Sequence, residues 1–236
     1  MLGPILFAAL TVSGASVCET VTTVDARSVT ASATASATAT ALVRTPADSS
    51  LEALYASGEE FASFLAKADA RRAMWVRHWE QAQVPADVLA MARAIPGRWR
   101  ILVSAVDGCS DSVNTIPYLA RLVALVPSLQ MRIVQPGPGR VIMEAHRTPD
   151  GRPATPTVVI LDGGGRDVGC WVERPAVLQD MALKARAAGA IDDFQRNKQQ
   201  WYDADAGAST VREVVEVLAA AAAGSPRCLQ GRAPLP

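Results

Sequence analysis

The chain has 236 residues, half of them hydrophobic, enough to bury a sizeable core. Lysine plus arginine and aspartate plus glutamate both total 23, so the formal net charge is zero. That balance, with no basic run, argues against a nucleic-acid binder, and no apolar stretch reaches the length of a transmembrane helix.

Gly3 to Val12 has the length of a signal-peptide apolar region, but no lysine or arginine precedes it. The expected location is cytoplasmic, with export through this weak signal-like segment as the alternative. Residues 28–41 contain only Ala, Ser, Thr and Val, side chains too small to offset the entropy of ordering. Residues 1–44 are therefore expected to be an apolar leader and a flexible segment.

Organised sequence begins at Thr45-Pro46. Leu51, Leu54, Tyr55, Phe61, Phe64 and Leu65 recur at three-to-four spacing, which predicts helix over 51–80, with Trp75 and Trp79 extending its apolar face. Val84-Pro85-Ala86-Asp87 opens a short helix and Ile95-Pro96-Gly97 ends it, completing a helical extension over 45–98. An alternating core follows: a strand over 99–106, a helix over 110–126, a strand over 129–135 and a short helix over 140–147. Residues 157–161 and 166–172 read as a hairpin turning at Asp162-Gly163-Gly164-Gly165. Helices are predicted over 175–188, 191–203 and 208–223. The sheet is expected to carry helices on both faces. The divisions are a core domain over 99–188, C-terminal helices over 189–225 and a flexible tail over 226–236.

The chemistry concentrates at Asp107-Gly108-Cys109-Ser110-Asp111-Ser112. A buried-type strand runs into Cys109 and a helix begins there. Unpaired N–H groups and the dipole of a helix N-terminus favour a thiolate. Ser112, one turn on, can donate a hydrogen bond to the sulfur, whereas Asp111 opposes ionisation if its carboxylate points that way. Cys18, Cys109, Cys170 and Cys228 lack metal-ligand spacing, and His78 and His146 show no partner in the sequence, so no metal and no cofactor are expected. The triple glycine lacks the Gly-Lys-Ser/Thr ending of a phosphate loop, and Asp192-Asp193 suits a helix N-terminus.

These residues form an ordered set. Pro117 lies eight residues after Cys109, Thr155-Pro156-Thr157 precedes the third core strand, and Gly169-Cys170-Trp171, Arg174-Pro175, Trp201-Tyr202 and Ser209-Thr210 follow. The run from 99 to 188 resembles a thioredoxin-fold domain. More broadly, 51–223 resembles the bacterial thioredoxin-like family in which a helical N-terminal region precedes a Trp-Cys-Gly-Asp type motif. The resemblance implies an α/β thioredoxin fold, a mixed sheet flanked by helices, with extra helices at both ends. It also implies a cis bond before Pro156, partner binding by Thr155 and Pro156, and a helix bent at Pro117. Gly108 stands in place of Trp, Ser110 in place of Gly, and Ser112 in place of the resolving cysteine. The implied activity is thiol–disulfide exchange in which Cys109 forms a mixed disulfide that an external thiol resolves. The partner is a protein or a small thiol. The alternative is a redox-inactive binding module that uses the cis-proline groove, and a peroxide-reducing enzyme ranks third. The returning hairpin strand brings Cys170 toward Cys109, which allows a disulfide between them, and Cys228 is expected to be exposed in the tail.

Overall fold

The strand that leads to Cys109 lies second from the edge of a five-stranded sheet. The structure, a computed structural model, describes residues 48–231, so the expected leader over 1–44 and the end of the tail lie outside the described residues. Within them the strands are β1 (Trp99–Ser104), β2 (Leu129–Val134), β3 (Thr157–Leu161), β4 (Asp167–Val172) and β5 (Arg227–Leu229). The helices are α1 (Asp48–Ser57), α2 (Phe61–Lys67), α3 (Arg72–Gln81), α4 (Ala86–Ala94), α5 (Ser110–Leu125), α6 (Arg140–Ala145), α7 (Ala176–Ala187), α8 (Ile191–Asp205) and α9 (Ala208–Ala222). No helix among the described residues is long and apolar enough to cross a membrane.

The sheet order is β2-β1-β3-β4-β5. β1 runs parallel to β2 and antiparallel to β3, β3 is antiparallel to β4, and β4 is parallel to β5. β1 is almost entirely buried because helices cover both faces, which explains its unbroken apolar run Ile101-Leu102-Val103. On one face Ile101, Val103, Val158 and Ile160 pack with Ile116 and Leu119 of α5 and Val214 and Leu218 of α9. On the other, Leu102, Val159 and Leu161 pack with Leu51 of α1 and Ile142 of α6. Burying each of these side chains contributes about 1.5–3 kcal/mol, so the sheet is stabilised from both sides.

The helix predicted over 51–80 is three helices, and tertiary contacts impose both breaks. At the first, Glu59 exchanges backbone hydrogen bonds with Ile133 on the edge of β2, at 2.9 and 2.8 Å. This pairing covers an otherwise open strand edge. At the second, Arg71 takes a left-handed conformation (φ 55°) before α3. The remaining elements lie within a few residues of expectation, except at the C-terminus. There, residues 227–229 form β5 where the sequence reading places a flexible tail, and Cys228 is partly buried rather than exposed.

Gly207 joins α8 to α9 at φ 76°, and a β-carbon there would lie inside the Tyr118 ring of α5. Only glycine meets both demands, so this turn sets α8 and α9 against the helix that begins at Cys109.

Candidate functional site

Cys109 is the N-cap of α5, in extended conformation, and its sulfur accepts the Ser112 backbone N–H at 3.4 Å. The expected donor was the Ser112 hydroxyl. Instead that oxygen is buried and makes no hydrogen bond among the described residues. The Thr155–Pro156 bond is cis, and the Thr155 carbonyl oxygen lies 3.2 Å from the Cys109 sulfur. Cys109 is fully buried. All three described cysteines, Cys109 included, are in the disulfide state. The Cys109–Cys170 bond that the hairpin allows is not formed: Cys170 is bonded to Cys228, directly opposite it on β5, with α-carbons 4.3 Å apart. Parallel pairing of β5 with β4 supplies a nearer partner than Cys109, and the register places Cys170 opposite Val159 within the sheet.

The residues before Cys109 are held by the α2–α3 linker. Asp107 Oδ2 accepts the backbone N–H groups of Asp69 and Ala70 at 2.8 and 2.9 Å. Trp75 Nε1–H donates to the Asp107 carbonyl at 2.9 Å, and Arg71 Nε–H donates to the Gly108 carbonyl at 2.9 Å. Trp75, expected as a packing residue, is fully buried and also positions the loop. The clamp from Asp107 and the part played by Arg71 were not foreseen, because nothing local in the sequence places residues 69–71 beside 107–108.

Pro117 lies inside α5 and has no N–H to give the Val113 carbonyl one turn back. His78 of α3 supplies the missing donor, with Nδ1 2.8 Å from that oxygen. Burial lowers the His78 pKa, although the bond to Val113 partly opposes the shift. The imidazole is therefore a neutral Nδ1–H donor that repairs the proline break.

Asp111 is fully buried in a network drawn from two distant segments. Arg174 Nη2 donates to it at 3.0 Å, Lys198 Nζ at 2.9 and 3.0 Å, and Tyr202 Oη at 2.8 Å. Glu173 takes a second bond from Arg174 at 2.5 Å. Burial pushes the Asp111 carboxyl up, but Arg174, Lys198 and Tyr202 outweigh it and hold the pKa at about 2. Burial pulls the Lys198 ammonium down, with Asp111 opposing, and drives the Tyr202 phenol well above its usual range. Both Asp111 oxygens thus face positive or hydroxyl donors, and the expected like-charge opposition to a thiolate is offset within the network. Arg174 and Tyr202 belong to the Arg-Pro and Trp-Tyr pairs of the sequence motif, and they meet at Asp111. Lys198 was missed; its signal is a lysine on the stripe Phe194, Lys198, Tyr202, the buried face of α8.

No curated protein matches the chain. Among solved structures, the 1.5 Å crystal structure of a protein of unknown function, PA1234 from Pseudomonas aeruginosa, is similar with 23% identity and a TM-score of 0.52, covering 72% of this chain and 95% of that one. An HIV epitope scaffold is similar with 21% identity and a TM-score of 0.53, covering 70% of this chain and 94% of that one. At these identities the likeness shows the fold. The family model described as Thioredoxin matches residues 58–192, more than half of the chain and the whole stretch from the α2–α3 clamp through Cys109 to Arg174, and the chain belongs to that thioredoxin family.

Proposed function

We propose that this protein carries out thiol–disulfide exchange at Cys109 through a mixed disulfide. The observation that supports this reading is the meeting of the Cys109 sulfur, at the N-cap of α5, with the Thr155 carbonyl beside a cis Pro156. An extended partner chain pairs with the backbone at Thr155 while presenting its own sulfur to Cys109. The Ser112 N–H and the α5 dipole stabilise negative charge on Cys109 when it leaves or attacks.

The exchange balances with an external thiol. The Cys109 thiolate attacks one sulfur of a partner disulfide, forming a mixed disulfide and expelling the other sulfur as a thiolate. Ser112 occupies the position from which a second thiol would resolve it. A low-molecular-weight thiolate therefore attacks the Cys109 sulfur and frees the partner. A second such thiolate then releases Cys109 and leaves as the small-molecule disulfide, so the two electrons come from the external thiols.

The test uses the full chain, reduced and then exposed to a peptide disulfide, with adducts located by mass spectrometry. The expected result is an adduct at Cys109 that is absent in Cys109→Ser and forms roughly tenfold more slowly in Pro156→Ala, the scale of a misplaced reacting group. No adduct at Cys109 in the reduced folded chain would sink the reading. The complete burial of Cys109 favours a second one, in which the groove binds a partner without exchange. In that case Cys109→Ser still captures the peptide and Pro156→Ala does not.

A further inference from the structure

Away from Cys109, one buried imidazole lies close to two sulfurs and has a ring nitrogen without a hydrogen bond among the described residues. His146, the residue that ends α6, is fully buried. Its Nε2 lies 2.5 Å from Asp167 Oδ2, while its Nδ1 is buried and makes no hydrogen bond among the described residues. An ionised carboxylate only accepts, so Nε2 carries a proton, and in the neutral imidazole of that tautomer Nδ1 is the nitrogen with a lone pair to give a metal ion. The ligand atoms of His146, Cys170 and Cys228 all lie within 4.8 Å of one another.

We propose that Cys170, Cys228 and His146 form a zinc site when the Cys170–Cys228 disulfide is reduced, so that this pair holds either a disulfide or a metal ion. Two thiolates and one imidazole are a donor set that zinc prefers, with a fourth tetrahedral position left for water. Zn–S bonds of about 2.3 Å at tetrahedral angles place two sulfurs about 3.8 Å apart. Residues directly opposed on adjacent strands reach that separation by side-chain rotation alone. Asp167 holds the imidazole from the far side, as carboxylates do behind metal-bound histidines. Gly231 closes over the pair: a β-carbon there would stand 2.6 Å from the Cys228 sulfur and 3.1 Å from the Cys170 sulfur, so only glycine lets the backbone pass this close to both. Cys228 is only partly buried and gives a way in.

The conversion is balanced by external thiols. Two equivalents of a small thiol reduce the Cys170–Cys228 bond and leave as their own disulfide. Zinc(II) then binds and displaces two thiol protons. Oxidation by a small-molecule disulfide re-forms the bond, regenerates two small thiols and releases the ion.

The test uses the full chain with Cys18 and Cys109 replaced by serine, reduced anaerobically with a phosphine that is then removed. Cobalt(II) is the probe. The expected result is a thiolate-to-cobalt charge-transfer band that saturates at one equivalent, is displaced by zinc(II) and is absent in the oxidised chain. His146→Ala should weaken zinc binding by more than tenfold and Asp167→Asn by roughly tenfold. X-ray absorption of zinc on the same reduced, serine-substituted chain should show two sulfurs and at least one imidazole nitrogen, a readout that holds even if His146→Ala does not fold. Absence of a saturating band, or a metal shell without imidazole, would overturn the proposal.

Discussion

The two sulfur sites of this chain are built by different means. Cys109 sits among backbone dipoles: the Ser112 N–H, the Thr155 carbonyl and a loop fastened to the α2–α3 linker. The C-terminal helices are tied to it without covalent bonds, through Asp111 with Arg174, Lys198 and Tyr202. Cys170 and Cys228 sit among the apolar Ala154 and Val172, with one imidazole near, and tie the C-terminal strand to the sheet covalently. The comparison teaches that the surroundings, not the thiol itself, set what each sulfur does. Under the proposed function dipoles prepare one for exchange, while strand pairing makes the other a staple.

The comparison breaks most visibly at Asp111. Asp111→Ala leaves Arg174 and Lys198 buried beside each other with one counter-charge fewer, a change that costs about 3–5 kcal/mol. Urea denaturation of the full chain should show that loss. Cys228→Ser comes next, because it opens a link between residues 58 apart in sequence and should cost about 2–4 kcal/mol. If the serine variant lost more than the alanine variant, the covalent tie would be the stronger of the two.

A third effect is read from pH. The folded Asp111 pKa of about 2 lies below its unfolded value of 3.8. Its contribution to stability, about 2 kcal/mol for such a shift, is therefore whole above about pH 4 and is lost as pH falls through 2. Stability measured from pH 5 to pH 2 should fall more steeply in the native chain than in Asp111→Asn, which lacks the titrating group. Parallel curves would remove the network from the account of acid unfolding.

What could be read in advance follows locality. β1, α5 and the β3–β4 hairpin announce themselves through an apolar run, a helical period and the turn Asp162-Gly163-Gly164-Gly165. The helix start at Cys109, the proline inside α5 and the cis bond before Pro156 were legible because each is a property of the local backbone. The breaks in the N-terminal helices were not, because Glu59 pairs with Ile133 and Asp69 and Ala70 bond Asp107, contacts that no local pattern contains. β5 has only three residues, too few to show a period, and exists through its register with Gly169, Cys170 and Trp171. His146, Cys170 and Cys228 likewise carry no ligand spacing, because α6, β4 and β5 bring them together.

The smallest expected effect sharpens the comparison most. Asp107 lies two residues before Cys109, and its carboxylate holds two backbone N–H groups of the α2–α3 linker. Asp107→Ala removes both bonds at a partly exposed site, a loss of about 1 kcal/mol by analogy with helix caps. If the clamp positions the sulfur, adduct formation at Cys109 should slow severalfold under conditions where the variant is still folded, since displacing a reacting group costs rate. Trp75→Phe keeps the packing and removes the indole N–H from the Asp107 carbonyl, so it should repeat the effect from the other side of the loop. An unchanged adduct rate in both variants would reduce α2 and α3 to a cover over the sheet. A change in both would make the N-terminal helices part of the Cys109 site, from the side opposite the Arg174, Lys198 and Tyr202 network at Asp111.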